Sequence, residues 1–184
     1  MSDPFLVFYV CTGNQARSPI AAAWTARALA PLGVRVGSAG TSRGRPAPVL
    51  AEAGMVAAEM GLDLSGHSSS HVSEHDLSKA DLVIGFELQH VSASVVDAGA
   101  AVERAFLLKE LCRLAAEVPP PGGDPVARAR ETIRRADELR RTRGAFVPGE
   151  DVKDPAGRRM PEARRILAEV VRGCDDMVNR VFGR

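Results

Sequence analysis

The first apolar segment of the chain and the loop behind it restrict the possible folds more than any other feature. Phe5–Val10 is a continuous apolar run, typical of a strand that is buried on both faces of a parallel sheet. Cys11–Ser18 follows directly, and then come Pro19 and an alanine-rich stretch. Serine often caps a helix and proline is favoured in its first turn, so we expect a helix capped by Ser18. Strand, tight loop and helix in this order predict the opening unit of an α/β fold.

Apolar segments and helical patterns alternate over most of the 184 residues. This alternation predicts a parallel sheet with helices on both faces, and the length fits a single domain, 1–184. We therefore predict a four-stranded, three-layer α/β/α fold in which ligands bind beyond the carboxyl ends of the strands. Further strands are predicted at 34–38, 81–86 and 105–108, and helices at 19–30, 49–60 and 87–96.

The loop after the first strand has the composition of an anion site. A loop that wraps into a helix N-terminus turns backbone N–H groups inward and adds the positive end of the helix dipole. A cysteine at the mouth of such a site is held as the thiolate, which is the nucleophilic form. Arg17 can offer two parallel donors to a phosphate. We therefore predict that Cys11 is a nucleophile and that Arg17, Thr12 and Gly13 bind a phosphoryl group.

The spacing of Cys11 and Arg17 is not specific by itself, because Cys174 and Arg180 share it. Cys174 lies in an apolar stripe with the period of a helix, which is typical of a core residue. Six residues along a helix correspond to about 240°, so Arg180 points away from Cys174. Only Cys11 has a strand before it and a helix start after it.

The segment Cys11–Ala21, Cys-Thr-Gly-Asn-Gln-Ala-Arg-Ser-Pro-Ile-Ala, resembles the signature of the low-molecular-weight protein tyrosine phosphatases. Segments 37–41, 60–67 and 80–84 and the dipeptide Asp154-Pro155 resemble further motifs of that family in the same order. The resemblance implies hydrolysis of phosphotyrosine, or of a related phosphoamino acid, in phosphorylated proteins. It implies a phosphocysteine intermediate and neither a metal nor another cofactor.

The resemblance also assigns the supporting residues. Asp154 matches the general acid of the family, and Asn14 matches a residue that ties the loop to partners corresponding to Ser38 and His67. Asp124-Pro125 is a second Asp-Pro pair, for which a helix N-cap role suffices. Ser18 can cap the helix or donate to the Cys11 thiolate. The loop residues predicted to contact the phosphoryl group are Thr12, Gly13, Asn14, Gln15, Ala16 and Ser18.

Departures from the family pattern leave the substrate open between phosphotyrosine and phosphoarginine. Ala16 replaces a second cysteine that is common in the family, and Gln15 replaces isoleucine or threonine. Ala156-Gly157 follows the Asp-Pro pair where eukaryotic members carry tyrosines, and Arg43–Arg45 on the opposite wall also has no aromatic residue. A thiol-dependent arsenate reductase would need a cysteine pair after the third strand, and 85–90 has none. A non-catalytic phosphate-binding or phosphoprotein-binding module is the remaining alternative.

Residues 118–149 interrupt the pattern and are predicted to be an Arg-rich insertion. Segment 126–143 has helix-forming residues and seven arginines. It fits a solvated helix with i,i+4 ion pairs, or a basic rim that recruits acidic or phosphorylated partners.

The histidines at 67, 71 and 75 have a helical spacing, but their segment is rich in serine and glycine, so no metal site is predicted. The net charge of +1 indicates no general attraction to nucleic acid or membranes. The first apolar run is short and lacks a basic lead-in, so no secretion signal is expected. Three scattered cysteines favour a reducing compartment. We expect a cytoplasmic protein, as a monomer.

Overall fold

A four-stranded parallel sheet forms the centre of the computed structural model, which describes residues 4–143 and 147–184. Its strands are β1 (Leu6–Cys11), β2 (Arg35–Gly40), β3 (Leu82–Gly85) and β4 (Ala105–Leu107). The spatial order is β2-β1-β3-β4, so the chain proceeds to one side of β1 and then to the other. Ligands of open parallel sheets bind at such a switch point. Cys11 lies there, at the carboxyl end of β1, and the predicted fold class is confirmed.

Helices cover both faces of the sheet, and alternate side chains of β1 serve the two faces. The helices are α1 (Arg17–Leu29), α2 (Ala51–Glu59), α3 (Leu88–Ala98), α4 (Leu108–Glu117), α5 (Pro125–Arg143) and α6 (Met160–Met177). Val7 and Tyr9 belong to the core shared with α1, α4, α5 and α6, whereas Phe8 and Val10 belong to the core under α3. Helix α2 packs outside α1 and α6. Within residues 4–143 and 147–184, none of the helices is long and apolar enough to cross a membrane.

The start of α1 differs from the prediction. The helix begins at Arg17, its N-cap is Ala16, and no side chain of the described residues caps it, so the predicted Ser18 N-cap is wrong. The hydroxyl of Ser18 is instead buried and engaged with Cys11 and Asn14. Because the first-turn N–H groups of a helix lack intrahelical partners, they remain available to an anion in the loop.

Helix α5 confirms the helical part of the Arg-rich segment. Asp124 Oδ1 accepts from the backbone N of Val126 and Ala127 at 3.0 and 3.1 Å, which is the N-cap geometry. The helix buries one face against α4 and the C-terminal turn 178–182. Six of its seven arginines pair with carboxylates, so the contacts favour the ion-paired helix over a basic rim: Arg130, Arg134, Arg135, Arg140, Arg141 and Arg143. That 118–149 is an insertion stays a prediction, and its positions 144–146 lie outside the described residues.

Candidate active site

Asn14 holds the loop after β1 in place through hydrogen bonds of its buried side chain and its carbonyl oxygen. Its φ of 51° lies in the left-handed region, as the tight loop predicts, and its side chain is fully buried. Its Nδ2 donates to the hydroxyls of Ser18 and Ser38, each at 2.9 Å, and its Oδ1 accepts from Ser70 N at 3.1 Å. His67 Nε2 lies 2.7 Å from the Asn14 carbonyl oxygen. The structure thus brings Ser38 and His67 to Asn14, where the resemblance expects them.

Gly40 allows the loop to lie directly on the end of β2. It pairs with Cys11 in the sheet register. A Cβ at this position would come 2.7 Å from Thr12 O and 2.9 Å from Asn14 N, closer than such atoms approach. Only glycine at position 40 therefore lets the loop lie this close to the end of β2.

The Cys11 thiol is held by a hydroxyl. Its Sγ lies 3.0 Å from Ser18 Oγ. The Asn14 amide donates to that same oxygen, so the Ser18 hydrogen is directed to Cys11 Sγ or to the Ala39 carbonyl, 3.3 Å away. A hydroxyl at this distance can donate a hydrogen bond to the sulfur of Cys11.

A cleft of about 130 Å³ opens over Cys11. Four of the six loop residues predicted to contact the phosphoryl group line it, whereas Asn14 and Ser18 lie behind the loop and hold it in place. Asp154 and Ala156 line the opposite side. The lining residues of the loop are Cys11, Thr12, Gly13, Gln15, Ala16 and Arg17.

Arg17 is almost fully buried, and both of its terminal nitrogens are engaged twice. Nη1 donates to Glu87 Oε1 at 2.5 Å and to the Val152 carbonyl at 2.8 Å. Nη2 donates to Asp154 Oδ2 at 2.7 Å and to Thr12 Oγ1 at 3.1 Å. Two carboxylates compensate the buried charge, as a buried guanidinium requires. Asp154 therefore lies beside the loop, while Asp124 caps α5.

Glu87 and His90 were not found from the sequence, although both belong to this network. They follow β3, whose end lies beside the end of β1. His90 Nε2 lies 2.9 Å from Thr12 Oγ1. Burial, with the Arg17 guanidinium as the next cause, lowers the pKa of His90 to about 4, so the ring is neutral at neutral pH. Their position directly after a predicted strand could have identified them, because functional residues collect at the carboxyl ends of parallel strands.

Comparison with known proteins identifies the family. The profile of the family described as low molecular weight phosphotyrosine protein phosphatase matches residues 6–139. The chain belongs to this family. The resemblance of the loop segment is thereby confirmed, and the chain is a phosphatase of this class.

Individual relatives agree with the family assignment. A protein-arginine-phosphatase from Geobacillus stearothermophilus is 32% identical over 138 residues, which cover 74% of this chain and 89% of that protein. The low molecular weight protein-tyrosine-phosphatase Etp from Escherichia coli K12 is 35% identical over 86 residues, 47% of this chain and 57% of Etp. The crystal structure of a low molecular weight protein tyrosine phosphatase from T. tengcongensis shares the fold, with a TM-score of 0.66 and 23% identity over 95% of this chain and 98% of that one.

The walls of this phosphatase cleft lack large aromatic side chains. Among the described residues that line it, none is Phe, Tyr or Trp. Arg43–Arg45 lies in an adjoining cleft of about 200 Å³, which shares Gly13 and Gln15 with the first. Gln15 Nε2 donates to the Pro48 carbonyl at 3.1 Å, which fixes the amide against this wall. Substrate side chains therefore meet polar and aliphatic surfaces at the mouth of the cleft.

The histidines at positions 67, 71 and 75 each make a different hydrogen bond. His67 Nε2 contacts the Asn14 carbonyl in the loop after β1, His71 Nε2 lies 3.1 Å from the Thr41 carbonyl, and His75 Nε2 lies 2.8 Å from Ser70 Oγ. Within the part of the chain that the structure describes, no group of three potential ligands could hold a metal ion.

We expect peroxide to oxidise Cys11 first and without forming an intramolecular disulfide. Burial raises the pKa of the Cys174 thiol to about 12, and it also raises the pKa of Cys112, so both stay protonated at neutral pH. Cys11 lines the cleft, and Ala16 offers no second thiol in the loop. Mass spectrometry of the oxidised protein should show sulfenic acid or higher oxides at Cys11. A bridge from Cys11 to either of the other cysteines would contradict this.

Proposed function

We propose that this chain hydrolyses phosphotyrosine, or a related phosphoamino acid, in proteins through a phosphocysteine formed on Cys11. The observation that carries the proposal is the meeting of Cys11, Arg17 and Asp154 around one cleft. The three supply a nucleophile, a phosphate-binding guanidinium and a proton donor. The family match ends at residue 139, so the role of Asp154 rests on its contact with Arg17.

In the first step, the Cys11 thiolate attacks phosphorus. The S–P bond forms while the bond between phosphorus and the leaving oxygen or nitrogen breaks. Loop N–H groups and Arg17 stabilise the charge on the three equatorial oxygens, an arrangement that usually contributes most to such reactions. Asp154 gives its proton to the leaving atom as it departs.

In the second step, water releases the phosphate. The ionised Asp154 carboxylate takes a proton from a water molecule that attacks phosphorus on the side the leaving group has vacated. The S–P bond breaks, inorganic phosphate forms and the Cys11 thiolate is restored. Asp154 is then protonated, as it was at the start of the first step.

Substrate binding also frees Asp154 for this work. In the unliganded cleft Arg17 Nη2 donates to Asp154 Oδ2. A phosphoryl dianion offers the same nitrogen a doubly charged acceptor, so it displaces the carboxylate from Arg17. The released carboxylate takes up a proton from solvent and lies at the cleft mouth, where the leaving group emerges, so that it can act as the general acid.

The direct test is to trap the intermediate. Wild-type protein is mixed with a phosphotyrosine peptide, quenched in acid within milliseconds and digested. The peptide that contains Cys11 should carry one phosphoryl group, and it should lose that group if the reaction runs to completion before quenching. Turnover without a phosphorylated Cys11 peptide would contradict the covalent mechanism.

Phosphoarginine is the second candidate substrate, and the Gln15 contact favours it. Because Gln15 Nε2 is committed to the Pro48 carbonyl, its Oε1 remains as an acceptor at the loop. A guanidinium carries N–H donors for that oxygen, whereas a phenol ring offers none. The non-aromatic walls and the protein-arginine-phosphatase among the relatives support the same reading.

We expect Gln15→Ile to lower activity on phosphoarginine by about tenfold relative to phosphotyrosine, because a guanidinium N–H then lacks its acceptor. The measurement is kcat/KM on two peptides that differ only in the phosphorylated residue. A small aryl phosphate serves as the control, and its turnover should change by no more than about twofold, because its leaving group offers Gln15 Oε1 no N–H donor. An unchanged ratio between the two peptides would remove the support that Gln15 gives to phosphoarginine.

Phosphorylated proteins are the partners of such an enzyme, and nucleic acid, membranes and cofactors have no part in it. The three cysteines are free thiols, which supports a reducing compartment such as the cytoplasm. We take the monomer as the working state.

A further inference from the structure

Thr12 lines the cleft over Cys11, and its hydroxyl contacts two buried side chains. It follows the nucleophile directly and lines the same cleft as Cys11, Arg17 and Asp154. Its hydroxyl oxygen has two neighbours, His90 Nε2 at 2.9 Å and Arg17 Nη2 at 3.1 Å. Within residues 4–143 and 147–184 no other group lies within hydrogen-bond distance of it.

The hydrogen of the His90 ring can be located from its surroundings. His90 is completely buried in the first turn of α3. Its Nδ1 faces two backbone N–H groups, of Glu87 at 3.0 Å and of Phe86 at 3.4 Å. A ring nitrogen that accepts carries no hydrogen, so the single hydrogen of the neutral ring is on Nε2. The ring stays neutral because burial and Arg17 keep its pKa at about 4, against the opposing charges of Glu87 and Asp154.

This tautomer determines the direction of the Thr12 hydroxyl. His90 Nε2–H and Arg17 Nη2–H both donate to Thr12 Oγ1. A hydroxyl oxygen has two acceptor sites and one hydrogen. With both acceptor sites occupied by donors, the Thr12 hydrogen is left for a third partner, and the cleft that Thr12 lines is where such an acceptor can lie.

We infer that the Thr12 hydroxyl donates a hydrogen bond to the transferring phosphoryl group, and that His90 is the positioning residue that keeps this hydroxyl in its donating orientation. The inference deepens the proposed function and rests on it. The loop then supplies a side-chain donor in addition to its backbone N–H groups. A neutral donor of this kind adds no charge to the cleft and needs no reorganisation when negative charge develops on the oxygens.

Thr12→Val tests the donor, because valine keeps the shape and removes the hydroxyl. We expect kcat on an activated aryl phosphate to fall by about 10²-fold, the usual loss for one preorganised donor, with KM changed by only about threefold. Thr12→Ser should retain most activity. Thr132→Val is the matched control, since Thr132 is a buried threonine of α5 whose hydroxyl has no hydrogen-bond partner among residues 4–143 and 147–184. It should leave kcat unchanged.

His90→Asn tests the positioning role. The asparagine oxygen can still accept from the Glu87 N–H, but the shorter side chain no longer reaches Thr12. We expect a loss of about tenfold in wild-type background and none in Thr12→Val background, since coupled residues are non-additive. His90→Gln, whose amide can donate to Thr12, should recover part of the activity. A purely structural role would instead give the same loss in both backgrounds.

Orthovanadate affinity gives a readout that does not depend on turnover. Thr12→Val should bind vanadate more weakly than wild type, by about the same factor as its loss in kcat, because both report donors to equatorial oxygens. Activity and vanadate affinity within twofold of wild type would overturn the inference. If the wild-type protein itself shows no Cys11-dependent turnover, the proposed function fails, and the vanadate comparison still decides whether Thr12 donates to a bound oxyanion.

Discussion

Cys11→Ser should lower turnover of any phosphoryl substrate by at least about 10⁴-fold, because the serine hydroxyl is a far weaker nucleophile than a thiolate. The variant should still bind inorganic phosphate or vanadate within a few-fold of wild type, since Arg17 and the loop N–H groups remain in place. Steady-state assays and calorimetry measure the two effects separately. Binding without turnover is the expected result.

Cys112→Ser provides the matched control for this substitution. Cys112 lies in α4, half-buried, with its Sγ 3.5 Å from the Gly173 carbonyl and away from the cleft lining. Its activity should equal that of wild type. Turnover by Cys11→Ser above about a tenth of wild type would contradict the covalent mechanism, given how much a positioned nucleophile contributes. Loss of both turnover and oxyanion binding would indicate a collapsed loop instead.

Asp154→Asn should reduce activity more strongly for substrates whose leaving group is more basic. On phenyl phosphate, whose leaving group is basic, we expect a loss of about 10²–10⁴-fold. On p-nitrophenyl phosphate, whose leaving group departs unaided, the loss should be much smaller. The measurement is the slope of log kcat/KM against leaving-group pKa over a series of aryl phosphates, which should become steeper in the variant.

Asp124→Asn is the control, because Asp124 is the other Asp-Pro aspartate and caps α5. Asparagine is an equally good N-cap, so neither the rates nor the slope should change by more than about twofold. A leaving-group-dependent loss in Asp124→Asn with none in Asp154→Asn would mean that residues 118–149 cover Cys11 during catalysis. The general acid would then have to be reassigned.

The sequence predicted the parts of the site that are local in the chain. Phe5–Val10 could be identified as β1 because a buried parallel strand is apolar throughout. The loop conformation followed from Asn14, which tolerates the left-handed region. The helix start predicted at Ser18 is wrong, because the Ser18 hydroxyl contacts Cys11 and Asn14 rather than the helix end. A side-chain oxygen with two competing uses cannot be assigned from spacing alone.

The parts that depend on strand order could not be predicted in the same way. Glu87 and His90 reach the loop only because β3, and not β4, lies beside β1. Helix α5 shows a related limit. Its arginines predicted an ion-paired surface, but the buried face is formed by small residues such as Ala129 and Ala136, which give a weak apolar signal. Close packing of alanine faces is visible only once the partner helix is known.

The hydrogen bonds of the buried Arg17 guanidinium make the charge balance of the cleft depend on complete folding of the chain. Its partners come from positions 70, 135 and 137 residues further along the chain, so compensation of the guanidinium is complete only when Glu87, Val152 and Asp154 are all in place. A partly folded chain that has formed β1 and α1 would hold Cys11 next to an uncompensated charge. Phosphate or vanadate therefore binds the native protein alone and shifts the folding equilibrium towards it by mass action.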